Sequence, residues 1–265
     1  MKKILYVLIA LVLLSGCSNP LKKPMPVPTP SEKGSGILEK DSSISENKPE
    51  ASTGKNNASQ IKEASIGAET LAVNGKFMVK NPDSIQVLVN KSRNLPSDWV
   101  PPDRVELKVA PGKYMRKEAA EALEVLFNQA LKEGIKLYAV SGYRAYDTQK
   151  RIYDNEVKKS GKEAANKVVA LPGQSEHQTG MAMDVSCASV NFNLVESFEN
   201  TKEGKWLKEH AKDSGFIIRY PKDKVIITGY NYEPWHIRYV GKDAASFITS
   251  YNITFDEYFG MVAQR

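Results

Sequence analysis

Cysteine is scarce in this chain, whose 265 residues include only Cys17 and Cys187. Two thiols can form at most one bridge, so the sequence excludes a small fold held together by several disulfides. Cys187 follows an apolar stretch, and we expect it to be a small buried core residue rather than a nucleophile.

Apolar runs are short. The N-terminal run, Ile4–Leu14, falls short of the roughly 20 residues that a membrane-spanning helix needs. It follows a short basic start and ends at Leu14–Cys17, the pattern of a bacterial lipoprotein signal. We therefore expect residues 1–16 to be a lipoprotein signal peptide and the Cys17 thiol to carry the lipid. The mature chain would then be extracytoplasmic and lipid-anchored to the cell membrane. A plain secretory signal that contains a cysteine is the alternative.

Neither sign of charge dominates the chain, whose formal net charge is +6 at pH 7. The sequence has no arginine-rich tract and no interleaving of basic and aromatic residues, so we expect no nucleic-acid partner. A modest positive excess suits work against an anionic membrane surface or acidic wall polymers.

Aromatic residues are almost absent between Ser18 and about Gly75, a segment rich in Pro, Ser, Lys, Glu, Asn and Gly. Such a composition cannot bury enough apolar surface to offset its ordering entropy. We therefore predict that residues 17–75 are the lipidated cysteine and a disordered tether. From Lys76 onward the composition is that of a folded chain. Because there are no internal repeats, we predict one domain over residues 76–265.

Helical and strand patterns mix within residues 76–265 without regular βαβ alternation. This favours an α+β fold with a mainly antiparallel sheet flanked by helices. Four helices are predicted: 115–132, 147–159, 205–213 and a terminal helix. The first has an apolar face made of Leu123, Leu126, Phe127, Ala130 and Leu131. Asp147 is the predicted cap of the second, and a capping box of Thr254 and Glu257 opens the last. The predicted strands are 135–140, 181–186, a hairpin of 216–220 with 225–228, and 235–240.

Histidine is rare, and its positions are informative. The chain has only His177, His210 and His236. His177 precedes Asp184 by seven residues, and Glu233 stands three residues before His236. A histidine on an approach loop and an aspartate on the following strand can meet at one point, so we expect the two segments to share one site.

Zinc in a hydrolytic site takes three nitrogen or oxygen ligands and leaves one position for water. His177, Asp184 and His236 supply such a set, and we predict that they bind Zn²⁺. Glu233 is the predicted catalytic base, close to the metal without binding it. His210 lies midway along a predicted helix, where a satisfied surface residue is the simpler interpretation.

Several motifs are distributed between Val87 and Tyr258. They are Ser141–Arg144, Ser175-x-His177 with Gly180-x-Ala182-x-Asp184, Glu233–Gly241, Val89–Lys91, Leu95–Pro96, Gly204–Trp206 and Gly215–Pro221. In order and spacing they resemble the VanY-like family of zinc D-alanyl carboxypeptidases. The resemblance implies a Hedgehog/D,D-peptidase-like fold with a single catalytic domain.

The resemblance implies the same roles for the three zinc ligands and for Glu233. It also implies that Arg144 and Gln149 bind the terminal carboxylate and a nearby amide of the substrate, with Ser175 helping. Tyr220 and Tyr239 are weaker candidates for lining the cleft. Arg238 is expected either near the metal or in solvent.

The implied activity is removal of C-terminal D-alanine from peptidoglycan stem peptides. The segment Pro172–Gly180 is closer to the LdcB-like L,D type, so an L,D-carboxypeptidase acting on tetrapeptides is favoured. A D,D-carboxypeptidase acting on pentapeptides ending in D-Ala-D-Ala is the alternative. A non-catalytic wall-binding module is the alternative from another class, and the presence of Glu233 argues against it. We expect the protein to be a monomer.

Two other peptidase classes lack support. A thermolysin-like enzyme would need His-Glu-x-x-His, which is absent. A serine D,D-peptidase would need Ser-x-x-Lys with Lys-Thr-Gly. Ser-x-x-Lys occurs at Ser45, Ser52 and Ser59, all within the predicted tether, and Lys-Thr-Gly is missing.

Overall fold

The computed structural model of the protein describes residues 70–71 and 76–260. The predicted signal peptide, Cys17 and nearly all of the predicted tether lie outside these residues. Among the helices of the described residues, none is long and apolar enough to cross a bilayer.

The described chain mixes short strands with helices. The strands are β1 (Thr70–Leu71), β2 (Phe77–Met78), β3 (Arg93–Asn94), β4 (Arg104–Leu107), β5 (Ala110–Arg116), β6 (Tyr138–Ser141), β7 (Ala182–Ser186), β8 (Phe216–Tyr220) and β9 (Glu233–Tyr239). The α-helices are α1 (Lys117–Lys132), α2 (Tyr146–Ser160), α3 (Lys162–Val168), α4 (Lys202–His210), α5 (Val225–Thr228), α6 (Lys242–Ser250) and α7 (Phe255–Tyr258). Single 3₁₀ turns lie between them, including Glu176–Thr179 directly before β7.

The central sheet has four strands in the order β6-β7-β9-β8, and every neighbouring pair is antiparallel. A β4–β5 hairpin and a small β1–β2–β3 sheet accompany it. The β2–β3 pair is parallel, and the other strand pairs of the described residues are antiparallel. The predicted α+β fold with a mainly antiparallel sheet is therefore confirmed.

The two faces of the central sheet differ in chemistry. Met183 and Val185 of β7 and Ile237 of β9 join the main core with the buried residues of α1. Because side chains alternate along a strand, Asp184 and His236 point to the opposite face. The alternation thus keeps the apolar core on one side and leaves the other side for polar chemistry.

One predicted element is wrong. The segment Val225–Thr228 is helix α5 and not the second strand of a hairpin, and β8 pairs with β9 instead. Val225 and Ile226 are exposed, whereas Thr228 is buried, so the run does not bury one face in the alternating pattern of a strand. Its high strand propensity is overridden by the tertiary pairing of β8 with a more distant segment.

The helix boundaries follow the predictions with local differences. The residue that precedes α2 as its N-cap is Ala145, and Asp147 sits in the first turn without capping it. Helix α4 starts three residues earlier than predicted, because the Thr201 side chain accepts a hydrogen bond from the Gly204 amide. The predicted capping box of Thr254 and Glu257 is confirmed, with both reciprocal hydrogen bonds present.

Two leucines on the predicted apolar face of α1 differ in burial, and this difference allows a test of the core packing. Leu123 is fully buried, whereas Leu131, which fits the same helical spacing, is 60% exposed and lies off the core. We expect Leu123→Ala to lower the free energy of unfolding by about 2–5 kcal/mol, since it removes buried methyl groups and leaves a cavity. Leu131→Ala, on the same helix, should change it by less than about 0.5 kcal/mol. Urea unfolding of both variants measures the difference, and equal losses would contradict this packing.

Candidate active site

The pairing of β7 with β9 brings two of the predicted metal ligands together. Asp184 lies directly opposite His236 in the antiparallel register, and side chains of directly opposed residues are close neighbours. His177 lies in the 3₁₀ turn Glu176–Thr179 before β7. This turn ends at Gly180, which has the left-handed conformation (φ +70°). The turn at Gly180 reverses the chain so that His177 reaches the same point as the β7 aspartate.

The three side chains form one compact cluster. His177 Nε2 lies 3.2 Å from Asp184 Oδ2, and His236 Nδ1 lies 3.1 Å from Asp184 Oδ1. The two imidazole rings are perpendicular, with centroids 5.0 Å apart. All three residues are buried, and one potential ligand atom from each lies within 4.8 Å of the others. Two imidazole nitrogens and one carboxylate oxygen are a donor set that fits a divalent zinc ion and leaves one coordination position open.

Hydrogen bonds outside the cluster orient both rings. His177 Nδ1 lies 2.8 Å from the carbonyl oxygen of Gly142. A carbonyl can only accept, so this nitrogen carries the proton and Nε2 presents its lone pair to the cluster. His236 Nε2 faces Glu176 Oε2 at 3.4 Å, which turns Nδ1 toward Asp184. This pattern, in which the second ring nitrogen is hydrogen-bonded, is typical of histidines that bind metals.

The electrostatics act differently on the members of the cluster, because burial lowers the pKa of His177 although Asp184 opposes this shift. Burial opposes ionisation of Asp184, but the neighbouring histidines outweigh it and hold the pKa of that carboxyl well below its usual range. Burial also disfavours the charged form of His236. Hydrogen bonds to Asp184 and Glu176 overcome this and raise the pKa of His236 to about 9. The carboxylates of Asp184 and Glu176 therefore favour positive charge at His236.

Glu233 stands beside the cluster without joining it. Its Oε2 is 3.8 Å from His236 Nδ1, and its side chain is 19% exposed. Burial raises the pKa of Glu233 to about 7, with the Asp184 and Glu176 carboxylates acting in the same direction and His236 opposing them. A carboxylate with a pKa near neutrality can both accept and return a proton at physiological pH.

The Arg144 guanidinium is held in a fixed position. Its Nη1 donates to Gln149 Oε1 and its Nη2 to Ser141 Oγ, both at 2.8 Å. Gln149 is almost fully buried and donates through Nε2 to the carbonyl oxygen of Ala170 at 2.7 Å. Gln149 therefore orients the arginine in this structure, in addition to lining the cleft.

One cleft of about 210 Å³ contains eight of the predicted site residues. They are Arg144, Gln149, Ser175, His177, Asp184, Tyr220, Glu233 and His236. The Tyr220 ring packs against His236, with centroids 4.9 Å apart. Tyr239, in contrast, does not line this cleft and donates instead to Glu118 Oε1 at 2.7 Å.

Two residues that the sequence assigned to structural roles keep those roles. His210 stacks on Trp206, with centroids 4.5 Å apart, and lies 3.4 Å from Asp213. Cys187 is fully buried in the main core, as predicted.

Sequence reasoning missed a set of buried charges behind the cluster. They are Glu176, Arg219, Arg238 and Asp256, each at most 2% exposed. The alternative that Arg238 is solvated is wrong, since its Nη1 donates to Glu176 Oε1 at 2.9 Å. Burial disfavours ionisation of Glu176, yet the two guanidinium groups hold its pKa well below its usual range. The only sequence signal for Glu176 was its place between Ser175 and His177.

Comparison with known proteins agrees with this geometry. The family model described as D-alanyl-D-alanine carboxypeptidase (VanY) matches residues 112–242. A second model, for a prokaryotic membrane lipoprotein lipid attachment site, matches residues 1–18. The putative carboxypeptidase YodJ of Bacillus subtilis is 51% identical over 198 residues, which cover 72% of each chain.

Two solved structures are similar over most of the described residues. One is the LdcB LD-carboxypeptidase, in a structure that reveals the basis of peptidoglycan recognition. It is 50% identical to this chain with a TM-score of 0.68, and the match covers 73% of this chain and 94% of the LdcB chain. A vancomycin-resistance D,D-pentapeptidase VanY in complex with Zn(II) has a TM-score of 0.57 at 33% identity and covers 65% of this chain and 97% of its own. The resemblance that the motifs carry is thereby confirmed, and this chain belongs to the VanY family of D-alanyl-D-alanine carboxypeptidases.

Proposed function

We propose that the protein is a zinc-dependent L,D-carboxypeptidase that removes the terminal D-alanine from tetrapeptide stems of peptidoglycan. The observation that carries the proposal is one cleft in which a histidine–aspartate–histidine cluster, an adjacent glutamate and an oriented arginine meet. A carboxypeptidase needs these three components: a metal site, a base and a group that recognises a terminal carboxylate.

His177, Asp184 and His236 would hold the zinc ion, and Glu233 would remain unbound next to it. A zinc ion in such a site lowers the pKa of bound water to about 7 and polarises a carbonyl group. Glu233 accepts the proton of the attacking water and returns it to the amine of the departing D-alanine. A non-catalytic wall-binding module would not need a base at this position.

Arg144 binds the terminal carboxylate of the substrate. A guanidinium can grip both oxygens of a carboxylate through parallel hydrogen bonds. Gln149 and Ser141 fix its plane, which reduces the ordering cost when substrate binds. Ser175 and Tyr220 line the same cleft and would contact the peptide.

The choice between tetrapeptide and pentapeptide rests on similarity. The LD-carboxypeptidase LdcB is 50% identical to this chain, whereas the D,D-pentapeptidase VanY is 33% identical. The two scissile bonds differ in the stereochemistry of the residue that precedes D-alanine. D,D-carboxypeptidase activity on stems ending in D-Ala-D-Ala is the second candidate, because the D,D enzyme shares the fold and belongs to the same family.

The proposed location follows from the N-terminal match to a lipid attachment site. Cys17 would carry the lipid after removal of residues 1–16, and residues 17–75 would tether the catalytic domain, residues 76–265, to the outer face of the cell membrane. The enzyme would act there on wall peptides as a monomer.

Glu233→Gln removes the base while keeping the size of the side chain. We expect turnover to fall by a factor of about 10² to 10⁴, with zinc content unchanged. Glu209→Gln, an exposed position on α4, is the matched control and should keep full turnover. Alanine release, measured together with metal content, checks both variants. A Glu233→Gln protein with normal zinc and full turnover would remove Glu233 from the base role.

Arg144→Lys keeps the charge but loses the bidentate hydrogen bond to a carboxylate. We expect kcat/KM to fall by about 10- to 150-fold, the equivalent of a charged hydrogen bond of about 1.5–3 kcal/mol, with the larger share in KM. The control is Arg151→Lys on the exposed surface of α2, which should leave both constants unchanged. Steady-state kinetics on a defined tetrapeptide decide, and unaltered kinetics for Arg144→Lys would exclude this role.

Defined muropeptides test the substrate. Incubation with tetrapeptide stems should yield tripeptide and free D-alanine much faster than pentapeptide stems yield tetrapeptide. A chelator should stop the reaction and added zinc should restore it, since the ion supplies the activated water. Mass spectrometry of the products measures both effects. Preferential trimming of the pentapeptide would replace the L,D assignment with the D,D one.

A further inference from the structure

A chain of buried ion pairs begins behind the metal-ligand cluster and ends at helix α7. Glu176 Oε1 accepts from Arg219 Nε at 2.7 Å and from Arg238 Nη1 at 2.9 Å. Arg219 Nη1 in turn donates to Asp256 Oδ2 at 2.6 Å. The side chains of these residues are between 0 and 3% exposed.

Stability does not explain why these charges are buried. Moving a charged group out of water costs several kcal/mol, and well-packed apolar residues in place of a buried ion pair are often neutral or stabilising. Another role must therefore be sought in the contact that these buried charges make with the active site. Glu176 itself lines the cleft, and it is the member of the set that contacts a predicted metal ligand, His236.

The two carboxylate oxygens of Glu176 have separate partners. Oε1 is occupied by the two arginines, and Oε2 faces His236 Nε2 at 3.4 Å. A carboxylate held by two guanidinium groups can only accept a hydrogen bond from the imidazole. When His236 carries a single proton, that proton is thus directed to Nε2, and the Nδ1 lone pair is left for a metal ion.

We propose that Glu176 is a positioning residue that fixes the tautomer and ring plane of His236 for metal binding, and that Arg219 and Arg238 hold Glu176 in place for this purpose. The inference rests on the proposed zinc site. It assigns Glu176 no contact with substrate. Partners of this kind, outside the ligand shell, typically raise metal affinity by about 10- to 100-fold.

Asp256 supplies a matched control. Both Glu176→Gln and Asp256→Asn replace one carboxylate partner of Arg219 by an amide, but only Glu176 reaches His236. Both variants should lose stability in urea unfolding of the zinc-stripped protein. A purely structural role predicts parallel effects on zinc binding as well, whereas the positioning role predicts that the two variants differ.

The experiment measures the zinc affinity of the full-length chain by competition with a chromophoric chelator. Glu176→Gln should bind zinc about 10- to 100-fold more weakly than the wild type, and its Co²⁺ form should show an altered visible spectrum. Asp256→Asn should keep the wild-type affinity and spectrum. If Glu176→Gln does not fold, Glu176→Asp, which keeps the charge but shortens the reach, should fold and show the same weakened binding.

The outcomes separate the two proposals. Wild-type zinc affinity in the folded Glu176 variant, or an equal loss in Asp256→Asn, overturns the positioning role and leaves the proposed function intact. A wild-type chain that binds no zinc overturns the proposed function itself, whatever the variants do.

Discussion

The antiparallel pairing of β7 with β9 is the constraint on which the site depends, because it sets Asp184 opposite His236. Strand pairing fixes this contact through backbone hydrogen bonds, before any metal contributes. A register shift of one residue would turn Met183 or Ile237 toward the cleft and bury a charge in the core. Met183 and Ile237 belong to the same core as the buried residues of α1. Their burial therefore stabilises the register that places Asp184 and His236 in the cleft.

Charge is placed in layers around that contact. Two carboxylates lie next to the metal-ligand cluster. Burial raises the pKa of Glu233 to about 7, whereas two arginines hold the pKa of Glu176 well below its usual range. Two chemically identical groups thus acquire different properties from their neighbours. One can exchange a proton, and the other can only accept a hydrogen bond. The buried charges behind the metal-ligand cluster also contact the segment before β3, because Arg238 Nη2 donates to the carbonyl oxygens of Ile85 and Val87.

Much of the site could be predicted from the sequence. Scarcity made the histidines informative: the chain has only three, and the structure brings His177 and His236 into one cleft. Local rules also worked for the Thr254 capping box and for the apolar face of α1 up to Ala130. They failed at Val225–Thr228, where strand propensity was overridden by pairing with a distant segment. Glu176, Arg219 and Asp256 could not be found, because charged residues are usually exposed and their burial depends on contacts between residues 37 and 43 positions apart.

The central claim is that two imidazoles and one carboxylate from two distant segments hold a single zinc ion. X-ray absorption at the zinc edge of the purified full-length chain tests it most directly. The account predicts one zinc per chain with only nitrogen and oxygen neighbours at about 2.0–2.2 Å, two of them imidazoles. A sulfur neighbour at about 2.3 Å, a single imidazole, or a chain that takes up no zinc would contradict it.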